Sequence, residues 1–337
     1  MRLVKLPFFI VIILLQAHCA HMPMSDQIKI NGVSLEAPSK EIDGQVMTQV
    51  KEQVAANWVC LMPYAYSKED ETNIGFDLPW QWWGEREEGI AVCAAQAKAQ
   101  HLKIMLKPHL WIGWGSFTGD LDFDNAAEWD TWNESYRAYI LKYARLAEEH
   151  QIDLFCIGTE LKTPVKRNPE FWTSLIDEVR AVYSGLVTYA GNWDSYKDFP
   201  FWNKLDYIGV DAYFPVSEEQ TASVDSCAAG WEKWADELSR ISDAMGKKIL
   251  FTEYGYRSVD FCAKKPWDTS GSDNLNNASQ ANALEGLYQR VWKKDWLAGG
   301  FIWKWHDDSH RNEERQGSRF TPQGKEAEAV VKKYYKQ

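Results

Sequence analysis

The chain has no pair of cysteines at CxxC spacing, which disfavours a zinc centre built from cysteines. Positive charge is in the minority: 37 lysines and arginines stand against 48 aspartates and glutamates, a formal net charge of −11. An acidic protein is repelled by phosphate backbones and anionic lipid, so nucleic acid and membrane surfaces are poor partners. No Gly-rich phosphate loop follows the first strand-like run, which argues against a dinucleotide-binding doubly wound sheet. No linker, low-complexity tract or charge block divides the chain, and after its first twenty residues no stretch is apolar enough to span a bilayer.

Those first twenty residues stand apart. Arg2 and Lys5 precede the apolar run Leu6–Leu15, and Ala17, Cys19 and Ala20 follow it. A basic start, a short apolar segment and small residues make a secretory signal, with export to the periplasm or cell surface as its consequence. Two endings are open. Cys19 directly follows the apolar region, as the lipid-bearing cysteine of a lipoprotein does. His18 before it and Gln16 three before it favour plain cleavage near Cys19 or Ala20 instead. Of the other cysteines, Cys60 and Cys156 lie in apolar runs and read as packing residues. Cys227 and Cys262 lie in loop-like sequence and are candidates for a disulfide in an oxidising compartment.

What the chain does have is a repeating pattern. Eight short runs are strand-like: Ile28–Leu35, Trp58–Pro63, Leu102–Lys107, Ile152–Ile157, Leu186–Ala190, Leu205–Val210, Lys248–Thr252 and Gly299–Trp303. Most are continuously apolar rather than alternating, as expected of parallel strands covered on both faces. Helix-like stretches lie between them. Pro169–Tyr183 is the clearest, with Asn168 suited to the N-cap, Pro169 to the first turn and Gly185 to the exit. Ala126–His150 and Gln280–Trp296 also carry apolar residues at helical spacing. Strand then helix, eight times, predicts an α/β fold with a single (β/α)8 TIM barrel over residues 25–337.

In such barrels the active site collects at the C-terminal ends of the strands. The fourth run leads into "GTEL" and ends in Glu160; the seventh, "KILFTEYGY", ends in Glu253. A carboxylate directly after an apolar strand is either solvated or delivered into a cleft, and two of them on strands four and seven favour the cleft. Two acids facing one cleft suit glycoside hydrolysis, one donating a proton to the leaving oxygen while the other attacks the anomeric carbon or activates water. The apolar strand before Glu160 favours its neutral form, and Tyr213 together with Tyr254, Tyr256 and Arg257 is placed to stabilise an anion at Glu253.

Other residues at strand ends fit a sugar cleft. Eighteen tryptophans are present, among them Trp82, Trp83, Trp111, Trp114, Trp193, Trp303 and Trp305 near strand ends. Indole faces pack on the C–H faces of sugar rings. Lys107 and His109 end strand three and are candidate donors to hydroxyls, although Lys107 also reads as a barrel cation neutralised by an acid. Asn192 and Asp211, which end strands five and six, are candidate hydroxyl partners or turn caps. The cluster "HDDSH" (306–310) contains metal-ligating residue types, but its spacing matches no helical histidine pair, so neither metal nor cofactor is expected.

The motifs "CIGTEL", "YAGNW", "LDYIGVDAYFP", "ILFTEYGYRS" and "GGFIWKW", in that order, resemble glycoside hydrolase family 113, a clan A family of barrel enzymes that includes β-1,4-mannanases. The resemblance spans about residues 28–305. It implies Glu160 as acid/base and Glu253 as nucleophile, with retention of configuration. It implies Trp303 as the floor of the cleaved-sugar subsite and Tyr213 as a hydrogen-bond donor to the nucleophile. One departure stands out: many clan members carry Asn immediately before the acid/base, contacting the sugar 2-hydroxyl, and this chain has Thr159. Asn192 is the substitute candidate. The expectation is a monomeric, retaining, endo-acting β-mannanase on β-mannan or a related polysaccharide. Its alternatives are a β-glucanase, an exo-acting β-mannosidase, or a non-catalytic sugar-binding barrel. The matched pair of glutamates argues for an enzyme, since a binding module has no use for one.

Overall fold

A computed structural model of the chain describes residues 28–113, 116–307, 317 and 319–337. The expected signal and Cys19 therefore lie outside the described residues, as do Trp114, Asp308 and His310. The described chain forms β1 (Ile30–Leu35), β2 (Trp58–Leu61), β3 (Tyr64–Ser67), β4 (Gly75–Phe76), β5 (Lys103–Leu106), β6 (His109–Ile112), β7 (Leu154–Thr159), β8 (Leu186–Asn192), β9 (Ile208–Asp211), β10 (Ile249–Tyr254) and β11 (Leu297–Trp305). Eight of these close a parallel barrel in the order β1-β11-β10-β9-β8-β7-β5-β2. Each of the eight expected runs supplies one barrel strand, and the (β/α)8 architecture is the one observed.

The near-continuous apolar character of the strands is explained by burial on both sides. Ile30, Trp58, Cys60, Met105, Leu154, Leu250 and Phe301 form one buried cluster, while Val33, Val59, Ile104, Phe155, Val187, Val210 and Phe251 belong to a second that extends to the helices. Such clusters remove on the order of 2 kcal/mol worth of exposure per large side chain. The helix expected over 169–183 is Pro169–Val182, and that expected over 126–150 is Ala126–Glu149, capped by Asn125, whose side chain accepts from the Glu128 N–H at 3.1 Å. The third begins earlier than expected, at Asn277, because Asn276 caps it through the Ser279 N–H.

Two departures from a plain strand–helix alternation matter for the site. The β8–β9 connection holds two short 3-10 turns, Tyr196–Asp198 and Trp202–Lys204, instead of a full helix. Pro200 interrupts any longer helix there, and the buried rings of Tyr196, Phe199 and Trp202 cover the outside of the sheet in its place. At the top of the barrel, β2 and β5 each continue past a proline (Pro63, Pro108) into β3 and β6, which with β4 make a separate three-stranded sheet. Proline has no N–H to donate, so the barrel ladder ends there. The His109 N–H bonds the Pro63 carbonyl at 2.8 Å and carries β6 up the cleft wall.

Cys60, Cys93, Cys156, Cys227 and Cys262 are buried free thiols. Cys227 lies in the first turn of the helix Val224–Met245 rather than in a loop, and the Cys262 Sγ sits 3.3 Å from the Ser279 hydroxyl. Among the described residues, no helix is long and apolar enough to cross a membrane.

Candidate active site

Each of the two glutamates is set by an irregularity in its strand. Pairing of β7 with β8 shifts between Cys156 and Thr159, and pairing of β10 with β9 shifts between Phe251 and Glu253. A bulge breaks the strict alternation of side chains and re-aims those that follow. At β10 its effect is direct. The neighbours Thr252 and Glu253, which strict alternation would send to opposite faces, share one set of partners: the Thr252 hydroxyl donates to Asp211 Oδ1 at 2.7 Å, and Glu253 and Asp211 hold the same ammonium group.

Glu160 leaves its strand in the left-handed region, with φ +55°, a conformation unfavourable for a residue with a Cβ. Its N–H bonds the Ala190 carbonyl at 2.8 Å, its carbonyl accepts from Lys162 N–H at 3.0 Å, and the next N–H, of Leu161, bonds the Tyr189 hydroxyl at 2.7 Å. Gly119 packs so closely that a Cβ there would lie 2.8 Å from the Glu160 carbonyl oxygen. The surrounding structure thus holds a strained residue in place, as is common at functional sites.

Both acids line one cleft of about 700 Å³ at the C-terminal end of the barrel. Their environments differ. Glu253 is buried and accepts from Lys107 Nζ at 2.5 Å and from the Tyr213 hydroxyl at 2.7 Å. Burial pushes its carboxyl up and Asp211 adds to this, while Lys107 and Tyr213 pull it back, leaving it at about 7. Glu160 is partly open to the cleft yet deeply enclosed, and among the described residues no donor reaches its carboxylate. Burial, then the negative charges of Asp211 and Glu253, push it well above the usual carboxylate range. The two carboxyls therefore differ in the sense a proton donor and an anion require, with Glu253 the readier to ionise.

Lys107 is 0 % exposed and Asp211 1 %. Burial alone would discharge Lys107, but Asp211 and then Glu253 outweigh it and keep the ammonium charged. The expectation that these two residues meet sugar hydroxyls is corrected by this geometry: Lys107 spends its donors on Asp211 (3.0 and 3.2 Å) and Glu253, and Asp211, although it borders the cleft, is occupied by Lys107 and Thr252. Trp82 is 42 % exposed and is not among the residues that line the cleft.

His109, Asn192, Trp193, Tyr213 and Trp303 all line it. The His109 ring lies between Tyr64 and Trp303, with centroids 5.0 and 5.9 Å away, and its Nε2 stands 3.6 Å from Glu253 Oε1, beyond hydrogen-bond reach. Burial and Lys107 hold the imidazole well below its ordinary range, so it is neutral. Its Nε2 and the Thr159 hydroxyl are buried without a hydrogen-bond partner among the described residues.

The cleft also takes Tyr64, Phe117, Trp267, Thr269 and Phe320, which sequence reasoning did not single out. Tyr64 carried a usable signal, since it directly follows the second strand run; the others lie in loops with none. Of the 306–310 cluster, His306 is turned away from the cleft and pairs with Glu36 at 2.5 Å, and the described residues contain no group of three or more His, Cys, Asp or Glu arranged to hold a metal.

The sequence profile of Glycoside Hydrolase Family 113 matches residues 39–325. Among curated protein sequences, none matches. Among solved structures, the GH113 β-mannanase AaManA from Alicyclobacillus acidocaldarius, in complex with ManMIm, superposes with a TM-score of 0.80 at 25% identity, covering 93% of this chain and 99% of that one. A solved GH113 β-1,4-mannanase gives 0.77 at 23%, covering 92% and 99%. A β-glucuronidase of Ruminococcus gnavus shares the fold alone, with 0.62 at 13% identity over 92% of this chain and 50% of its own. With its profile matched over most of the described barrel and its two acids in one cleft, the chain belongs to Glycoside Hydrolase Family 113 and is a glycoside hydrolase.

Proposed function

We propose that this enzyme cleaves β-1,4-mannosidic bonds inside mannan-type chains by double displacement, with Glu253 as nucleophile and Glu160 as acid/base. The observation that carries the roles is the asymmetry of donors: among the described residues Lys107 and Tyr213 bond Glu253, and none reaches Glu160. Solved relatives with a similar barrel and near-complete coverage are named as β-mannanases, which supports the substrate.

In this reading the ionised Glu253 attacks the anomeric carbon while protonated Glu160 gives its proton to the departing sugar oxygen. The bond to the leaving sugar breaks and an ester to Glu253 forms. Glu160, now a carboxylate, takes a proton from water, which attacks the same carbon and releases the sugar with retained configuration. Glu160 is suited to both duties because its carboxyl is not held in either state by a fixed donor. Trp303 lies beneath the sugar being cleaved. His109, being neutral, gives or accepts one hydrogen bond to a hydroxyl without competing for the proton in transfer. Asn192 and the unpartnered Thr159 hydroxyl stand beside Glu160 as readers of the 2-hydroxyl, the position at which mannose and glucose differ. A secreted or surface-held enzyme would meet such polysaccharides directly.

Hydrolysis of mannan, glucomannan, cellulose and xylan, with product sizes followed over time, tests the substrate and the mode of cleavage. Mixed oligosaccharides from mannan at early times support the reading. Release of single mannose units only, or turnover confined to cellulose or xylan, overturns it.

A further inference from the structure

We infer that a second cavity beside Glu160 holds a carboxylate-bearing sugar branch on the chain being cleaved, and that Lys162 and Lys166 recognise it. This assignment rests on the reading of the main cleft proposed above. The cavity has a volume of about 520 Å³ and is lined from the loops that follow β7 and β8. Glu160 and Asn192 line it and also line the catalytic cleft, so these two side chains border both spaces. A group that reaches past them belongs to a sugar beside the cleaved bond, because Glu160 protonates the oxygen of that bond.

The fold leaves this space open. The β8–β9 connection has two 3-10 turns in place of a full helix, and β7 leads first into a helix of only six residues, Lys162–Arg167. Val165, Tyr189 and Phe199 make an apolar wall. The rings of Tyr189 and Phe199 are stacked at 4.1 Å and 11°, and the Tyr189 hydroxyl accepts from the Leu161 N–H at 2.7 Å, so the wall is fixed before anything binds. Size decides between water and a ligand. One water takes about 30 Å³ of the liquid, whereas ligand sites run from about 300 to 1,000 Å³, so this cavity is far larger than a water path to Glu160 needs.

Charge sets the class of ligand. Lys162 and Lys166 stand four residues apart on the short helix, so they share a face, and both line the cavity. Like charges at this spacing are mildly destabilising, so helix packing does not account for the pair. Among the described residues neither ammonium has an ion-pair partner, whereas the next cation, Arg167, pairs with Asp122 at 2.5 Å. Against the two lysines the lining sets one ionised acid, Asp198, since Glu160 holds its proton before reaction. A positive cavity in a chain of formal charge −11 favours an anion over a neutral group, and the apolar wall favours an anion carried on a sugar ring over a small free ion. A uronosyl branch has both parts.

The test gives the full-length enzyme three kinds of mannopentaose. One is unbranched. One carries a single 6-linked hexosyl branch, placed in turn on each inner sugar. The third is the same branched set with the branch oxidised to its uronic acid. Wild type should cleave at least one uronosyl isomer with kcat/KM about tenfold above that of its neutral counterpart at low salt, and the advantage should fade at about 0.5 M salt. Lys162→Gln combined with Lys166→Gln should erase the advantage and leave the unbranched substrate within about twofold; Lys166→Gln alone should remove about a threefold part of it. Both side chains are exposed, so thermal unfolding should find each variant folded. Equal rates on the two branched sets, a neutral branch preferred by wild type, or a preference that survives the double substitution overturns the assignment. So does a double variant that loses as much on the unbranched substrate as on the uronosyl one. If wild type spares unbranched mannopentaose but cleaves another β-linked hexose oligomer, the mannan reading has failed, and the same branched pair built on that backbone decides the cavity separately.

Discussion

Lys107 and Glu253 meet across 2.5 Å inside the barrel, and the same ammonium lies 3.0 Å from Asp211. One cation therefore serves two buried carboxylates. The surplus negative charge beside it is one cause that keeps Glu160 in its protonated form.

Lys107→Met should show how much depends on this arrangement. Two buried carboxylates would be left without their cation, at a cost of about 3–5 kcal/mol in unfolding free energy. Glu253 should then hold its proton to higher pH, so the acidic limb of kcat/KM moves upward and turnover at pH near 6 falls by roughly a hundredfold or more. Denaturant unfolding and a pH–rate profile measure both. An unchanged acidic limb would mean Lys107 has no part in ionising Glu253.

The two glutamates should fail differently when removed. Glu253→Ala loses the attacking atom, and activity should vanish on every substrate. Glu160→Ala should retain glycosylation with an activated aryl leaving group but stall at deglycosylation, since no base remains to activate water. Azide should rescue it and give a β-glycosyl azide. Rescue of Glu253→Ala to an α-glycosyl azide, with no β-product from Glu160→Ala, reverses the assignment.

Turnover should follow a bell-shaped pH profile. Below about 7 Glu253 is increasingly protonated and the nucleophile is lost; at higher pH Glu160 gives up the proton it must donate. Glu253→Gln removes a negative neighbour, so the Glu160 carboxyl should titrate at lower pH in that variant. Carbon-13 NMR of labelled glutamate checks this, and a Glu160 resonance that titrates identically in both proteins would rule out coupling between them.

Glu36 makes a separate contribution to stability. Burial would raise its carboxyl, but the hydrogen bond from His306 and the charge of Lys304 outweigh it and hold it at about 2. A depressed folded-state value stabilises the fold above the unfolded-state value near 4.5, and that stabilisation disappears as pH falls toward 2. Wild type should therefore be more stable than Glu36→Gln by on the order of 2 kcal/mol at pH 6, with the gap closing by pH 2 to 3. A gap independent of pH would show that the carboxylate charge does not matter.

The barrel and its two acids were legible because they are written locally. A strand covered on both faces must be apolar along its length, and an acid at its end stands out, as Glu160 and Glu253 do. Prolines at 63 and 108 ended the second and third runs near their true limits, but the small sheet beyond them was not legible, since β3 and β6 pair only after the barrel brings them together. The same holds for the stack of Trp267 on Trp193, 74 positions earlier in the chain.

The sequence by itself determined where strands and helices form, which strand ends carry acid, and the family to which the chain belongs, because hydrophobic periodicity and short motifs depend on neighbours along the chain. Only the tertiary structure decided that Lys107 and Asp211 are buried supports and not sugar contacts. Their partners lie 104 and 146 positions from Lys107, and the ionisation of each acid depends on which charges barrel closure and two bulges place beside it. Coulomb energy and desolvation are set by distance in space, which the order of residues does not state.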